Sequence, residues 1–254
     1  MMPPPEPKPD VRAVLFDLDG TLVRTREAAW EVFAETNLEF SLGVSDRKQF
    51  YDLFHGNVFD TLSRLCSDEH TAQTAVDHFF SLLRTKYHPL MVPGMSEVVR
   101  ALAPGCVLGI VSSNALETIR KVTDAAGLST CIAHVFAGDV VPDKRVAIRK
   151  FLEDSDYAAL RAVSGAYEEK ISRKFDPSEV IFITDTTGDV RHARECGIRA
   201  IGVIWGFHEA AELLEAGAEA IAIWPQEIVS LVHPKRASEA IRLTDAFGSA
   251  EGQQ

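Results

Sequence analysis

Cysteine is scarce and unpatterned in this chain. Its four cysteines, Cys66, Cys106, Cys131 and Cys196, show none of the paired spacings of zinc or redox sites. They read as reduced thiols, which suits a cytoplasmic protein. No apolar run approaches the length of a membrane span. Residues 1–10 are proline-rich and charged, with no apolar h-region, so they read as a disordered leader rather than a secretory signal. Basic residues are in deficit, 26 against 37 acidic ones, and the net charge of -11 argues against nucleic acid or an anionic membrane surface as partner. An anionic substrate would therefore need local help from a metal, a lysine or backbone amides. The nucleophile-elbow pattern Gly-x-Ser-x-Gly is missing, as are the glycine patterns of P-loop and dinucleotide proteins, and there is no internal repeat. What remains, 46% hydrophobic and 25% charged over 254 residues, is ordinary globular composition for one large domain or two small ones.

Against that background one stretch stands out, Val14-Leu15-Phe16-Asp17-Leu18-Asp19-Gly20-Thr21-Leu22. The apolar run ending at Phe16 is too short for a helix and reads as a buried strand. Gly20 then allows a turn. Asp17 and Asp19 thus lie at the carboxyl end of a strand, where open α/β sheets bind ligands. Two acids so close repel each other unless a cation or proton relieves them, and Mg²⁺ is the usual hard cation beside phosphate. A calcium loop counted from Asp17 would need an acid at its twelfth position, which is Ala28.

Periodicity divides the chain. From Arg24 to about Tyr87 the pattern is helical, with Ala28, Val32 and Phe33, then Phe50, Leu53 and Phe54, then Phe59, Leu62 and Leu65, then Val76, Phe79, Phe80 and Leu83 as apolar sets. Ser45, Asn57 and Thr71 are candidate caps. Pro89 and Pro93-Gly94 end this insert. Strand and helix then alternate. Strands are expected at 107–112, 134–136, 180–184, 200–204 and 220–223, and helices at 116–126, 190–196 and 209–216. Continuous apolar strands joined by helices predict a doubly wound parallel α/β sheet. The expected division is a core of 11–23 with 91–234, a helical cap of 24–90 and a flexible tail of 235–254. The stretch 154–174 is surplus to a single crossover, and reads as an extra helix with a mostly solvated face.

Asp17-x-Asp19-Gly20-Thr21-Leu22 after a buried strand resembles motif one of the haloacid dehalogenase superfamily. Three further motifs are matched in order. Ser112, at the end of Val107–Val111, corresponds to the second, with Ser113 and Asn114 opening the following helix. Lys144 corresponds to the third, although Arg145-Val146-Ala147 follows it where relatives usually have proline, and Arg145 and Lys150 are nearby rivals. Asp185 and Asp189, after Val180–Thr184, correspond to the fourth, with Thr184 where a glycine is usual. The stretch Ile201–Phe207 is similar to relatives of the phosphoglycolate phosphatase type, Trp205 and Phe207 reading as site-wall or, in preference, packing residues.

The resemblance implies a Rossmann-like core with an inserted helical cap. It also implies a Mg²⁺-dependent phosphatase acting on a small phosphorylated metabolite. Asp17 would be the nucleophile that becomes an aspartyl-phosphate, and Asp19 the general acid and base. Asp17, Asp19 (through its backbone carbonyl) and Asp185 would hold Mg²⁺, with Asp189 behind them. Ser112, Ser113, Asn114 and Lys144 would hold the phosphoryl oxygens. Asp19 favours phosphate esters, because dehalogenase and phosphonatase relatives lack an acid there. A phosphomutase, or a non-catalytic phosphate-binding protein on the same fold, remains an alternative. In the cap, His55-Gly56-Asn57 is the candidate specificity loop, and Arg24 and Arg26 could meet a substrate anion or serve as surface ion pairs. Substrate and oligomeric state are not legible.

Overall fold

The computed structural model describes residues 9–53, 62, 64–66, 68–153 and 174–234. Strands are β1 Ala13–Phe16, β2 Val107–Ser112, β3 His134–Ala137, β4 Val180–Thr184, β5 Arg199–Val203 and β6 Ala220–Ala222. They form one parallel sheet in the order β3-β2-β1-β4-β5-β6. The chain runs outward from β1 to β3 and then crosses back to place β4 on the other side of β1. The direction of winding therefore reverses between β1 and β4, the point where doubly wound sheets leave a crevice at their carboxyl ends. Phe16 is paired with Ile110 on one side and Ile183 on the other, so residues 17 and 185 emerge at that crevice.

Both sheet faces are covered, which explains the continuous apolar strands. Side chains alternate along β1. Val14 and Phe16 join Ile110, Ile183 and Val203 on one face, under helices α4 (Met95–Leu102), α5 (Leu116–Ala125) and α9 (Glu227–Val232). Ala13 and Leu15 join Phe182, Ile148 and Leu213 on the other, under α6 (Lys144–Glu153), α7 (Thr187–Glu195) and α8 (Ala210–Ala216). All four residues of β1 are fully buried.

The inserted cap lies between β1 and β2 and has its own core. Its described helices are α1 Thr25–Glu39, α2 Arg47–Leu53 and α3 Glu69–Lys86. Phe33 is the hub, 4.7 Å from the Phe50 ring and 5.6 Å edge-on from Phe79. Two linkers join cap to core and pair with each other: Arg24 N–H donates to Leu90 O at 2.8 Å and Val92 N–H to Leu22 O at 2.9 Å.

Several sequence expectations shift. The buried stripe of α3 is Ala72, Ala75, Val76 and Phe79, and Phe80 falls one helical step outside it, 44% exposed. The caps are acids near, but not at, the residues expected. Asp46, not Ser45, accepts from Gln49 N–H at 2.9 Å, and Asp68 accepts from Thr71 N–H at 2.9 Å. Helix α7 starts at Thr187 rather than 190, because Thr186 caps it by accepting from Asp189 N–H. His55, Gly56, Asn57 and Phe59, residues 154–173, the first eight residues and the tail from 235 lie outside the described residues. No described helix is long and apolar enough to cross a membrane.

Candidate active site

The end of β1 is a tight, backbone-bonded loop. Asp17 N–H donates to Ile183 O at 2.9 Å, and Leu22 and Val23 N–H groups donate to Leu18 O at 2.9 and 3.0 Å. Gly20 takes φ of +76°, and a Cβ there would collide with the Asp185 carboxylate. A residue other than glycine would thus be strained in backbone and blocked in space. Gly206, after β5, meets Asp185 from the other side in the same way. Asp185 is wedged between them and fully buried. Its Oδ1 accepts from Thr21 Oγ1 at 3.2 Å and its Oδ2 from Phe207 N–H at 2.8 Å. Burial raises its carboxyl to about 7, against the pull of the Phe207 amide.

Lys144, the first residue of α6, reaches across the sheet end. Its Nζ stands 2.8 Å from Asp17 Oδ1 and 2.6 Å from Asp189 Oδ2. Burial alone would lower this lysine, but the two carboxylates outweigh it and raise it, so it stays an ammonium. Burial likewise opposes ionisation of Asp189. Lys144, His192 and Thr184 nevertheless hold its carboxyl below the ordinary value. Asp17 goes the other way: burial and the neighbouring acids push it well up, against Lys144. The rival Arg145 is taken by Asp143 at 2.8 Å and Glu195 at 3.2 Å.

Asp19 points elsewhere. Its Oδ1 accepts from Tyr87 OH at 2.5 Å and Thr25 Oγ1 at 2.9 Å, and its Oδ2 from Asn114 Nδ2 at 3.1 Å. Tyr87 OH and Thr25 Oγ1 lie 2.9 Å apart, side by side on that oxygen. Burial, then the Asp19 charge, drives the Tyr87 phenol far up, so it remains a donor. Asn114 is thus turned to the acid rather than to capping α5. That helix takes a side-chain cap from outside, Leu116 N–H donating to Asp139 Oδ1 at 3.1 Å. Ser112 is buried beneath, its Oγ accepting from Asn114 N–H at 3.0 Å.

Asp17, Asp19, Ser113, Lys144 and Asp189 line one pocket of ≈ 560 Å³, with Asp185 just behind its wall at Phe207. Sequence reasoning missed Thr25, Tyr87 and His192, and of its two readings for Phe207 preferred packing, whereas the residue walls the pocket. Trp205 does pack, its Nε1–H donating to Thr21 O at 2.9 Å. Thr184, the departure from the usual glycine, donates to Asp189 Oδ2 at 3.1 Å.

The donor set suits a hard cation. Four acids cluster around one lysine, and among the described residues no lysine or arginine pairs with Asp185 or Asp19. All the candidate ligands are oxygens. No three acidic, histidine or cysteine side chains among the described residues converge into a ready metal cage. Mg²⁺ does not need one, since it keeps several waters and takes one or two carboxylates.

The family model for haloacid dehalogenase-like hydrolases matches residues 14–203. A probable phosphatase, IndB, from Dickeya dadantii is 26% identical, covering 87% of this chain and 93% of its own. A phosphoglycolate phosphatase from Synechococcus elongatus is 22% identical over 87% and 97%. A pyrophosphatase, PpaX, from Bacillus pumilus is 25% identical over 77% and 84%. Among solved structures, a haloacid dehalogenase-like hydrolase from Streptococcus pneumoniae superposes with TM-score 0.70 at 23% identity, over 87% of this chain and 98% of the other, and shows the same fold.

Proposed function

The chain belongs to the haloacid dehalogenase-like hydrolases, and on that premise we propose that it is a Mg²⁺-dependent phosphatase that hydrolyses a small phosphorylated metabolite through an aspartyl-phosphate on Asp17. The observation that carries this reading is the division of labour at the end of β1. Asp17 faces the Lys144 ammonium at 2.8 Å, while Asp19 faces hydroxyl and amide donors only. One acid is placed beside the positive charge that a phosphoryl group would share. The other is left free of cations, as a proton carrier must be.

Asp17, Asp185 and the backbone carbonyl of Asp19 would hold Mg²⁺, which when bound would screen the carboxylates and the phosphoryl group from each other. Asp17 Oδ attacks phosphorus in line as the ester bond to the leaving oxygen breaks. Lys144 and the Ser112–Asn114 turn hold the phosphoryl oxygens, contacts worth about 3 kcal/mol each at the transition state. Asp19 donates its proton to the leaving oxygen, then takes one from the water that hydrolyses the aspartyl-phosphate. Asp189 braces Lys144 from behind. Residues 24–90 act as the cap that closes over this chemistry and excludes bulk water.

Phosphate release from para-nitrophenyl phosphate, with and without Mg²⁺, for the wild type and Asp17→Asn, tests the reading. Mg²⁺-dependent release abolished by Asp17→Asn is the expected result. Undiminished release from Asp17→Asn would overturn it, as would no release from folded protein that binds Mg²⁺.

A further inference from the structure

Arg26 has no acidic partner among the described residues. It occupies the first turn of α1, where the helix dipole disfavours a cation. Among the described residues neither Arg26 nor Arg24 makes an ion pair, and Arg26 Nε is shut away from water with no acceptor. An unmatched buried donor carries a desolvation cost that a simple surface arginine would avoid. Its guanidinium carbon instead lies over two rings, 4.6 Å from the centre of Tyr51 on α2 and 5.5 Å from the centre of Phe207 in the core. Phe207 is the wall residue of the catalytic pocket, and its backbone N–H anchors Asp185. A guanidinium that lies against aromatic faces keeps its N–H edge for forked bonds to an oxyanion.

The pocket itself explains what such a charge is for. Asp17, Asp19, Asp143 and Asp189 line it, and Lys144 and Arg145 are both already committed to acids. An anionic substrate thus meets an acid-rich mouth whose lysine and arginine are already paired, and Arg26, which makes no ion pair among the described residues, stands against the wall residue Phe207.

We propose that Arg26 is a specificity residue that binds a second anionic group, a carboxylate or a second phosphoryl group, on the substrate. The inference rests on the phosphatase reading and narrows it to phosphate compounds with two acidic groups close together. A carboxylate or phosphate accepts two parallel N–H bonds from a guanidinium, and a hydroxyl cannot replace that pairing.

The test compares kcat/KM for phosphoglycolate and for pyrophosphate with that for 2-hydroxyethyl phosphate, which lacks the second charge. The wild type should favour at least one of the two-anion substrates by about 10- to 100-fold, the range of a charge-assisted pair. The better of them identifies the second group as carboxylate or phosphoryl. Arg26→Gln should collapse that ratio by about the same factor, and Arg26→Lys should keep part of it. A ratio unchanged in Arg26→Gln, with all substrates falling together, would make Arg26 a clasp between cap and core and overturn the inference. A wild type that releases phosphate without favouring either two-anion substrate overturns it too, even if Arg26→Gln fails to fold, and leaves the phosphatase reading standing. No release even from para-nitrophenyl phosphate by Mg²⁺-loaded protein defeats both.

Discussion

Asp17 and Asp19 stand two residues apart at the end of one strand, yet different parts of the molecule hold them. Asp17 belongs to the core. Its backbone is bonded to β4 and its carboxylate to Lys144 of α6. Asp19 belongs to the linkers. Thr25 comes from the first chain into the cap and Tyr87 from the chain out of it, and both hydroxyls meet on the same oxygen, Oδ1. The proposed nucleophile is therefore positioned by elements of the sheet and its covering helices. The proposed proton carrier is positioned by the two segments that join cap to core. In the proposed mechanism, closure of the cap and the proton-transfer geometry would be set by the same bonds.

The contrast is broken most severely at Asp19 itself. Asp19→Asn should lower kcat on an alkyl phosphate by about 10²- to 10⁴-fold, the usual worth of a positioned general acid. On 2,4-dinitrophenyl phosphate, whose leaving group departs without a proton, the loss in the first step should be far smaller. Equal losses on both in burst-phase measurements would show that Asp19 does not carry the proton. Lys144→Met should behave differently, costing about 10²- to 10³-fold on both substrates, because it serves the phosphoryl group whatever the leaving group. A loss that tracked leaving-group basicity would place Lys144 on the wrong side of the comparison.

The core half of this comparison was legible in the sequence and the linker half was not. Buried parallel strands must be apolar on both faces, so β1, β2, β4 and β5 read as runs, and the acids ending β1 and β4 were visible as the residues that break them. The order β3-β2-β1-β4 brings the two acidic ends together by topology alone. Tyr87 is invisible to such reasoning. It is 68 residues from Asp19, it caps no pattern, and only the folding back of the linkers brings it to the carboxylate. Phe207 was misjudged for a related reason: an aromatic residue after a strand packs more often than it lines a site, and only the bond of its amide to Asp185 shows its place. Helix starts slipped because Asp46, Asp68 and Thr186 compete as caps with neighbouring residues of equal propensity.

A gentler variant sharpens the linker half. Tyr87→Phe removes one hydroxyl from Asp19 and keeps the ring, so Thr25 and Asn114 still hold the carboxylate. Loss of one charge-assisted bond predicts about a tenfold fall in kcat on alkyl phosphates with KM little changed, and almost none on 2,4-dinitrophenyl phosphate. If KM moved and kcat did not, Tyr87 would be fastening the cap rather than aiming the acid.

The smallest effect concerns the core half and needs no substitution. Asp185 holds its proton up to about pH 7 in the folded chain, whereas the unfolded carboxyl releases it near 3.8. Between those values the folded state binds more protons, so metal-free protein should lose stability as pH rises through that window. Mg²⁺ binds only the ionised carboxylate and competes with that proton. Its stabilisation should therefore be greater at pH 7.5 than at pH 5, a difference visible by thermal unfolding, where 1 kcal/mol moves the midpoint by about 2–4 °C in a chain this long. An equal Mg²⁺ shift at both pH values would mean that the ion is not drawing on Asp185. The acid excess behind β1 and β4 would then have to be relieved in some other way than by the metal.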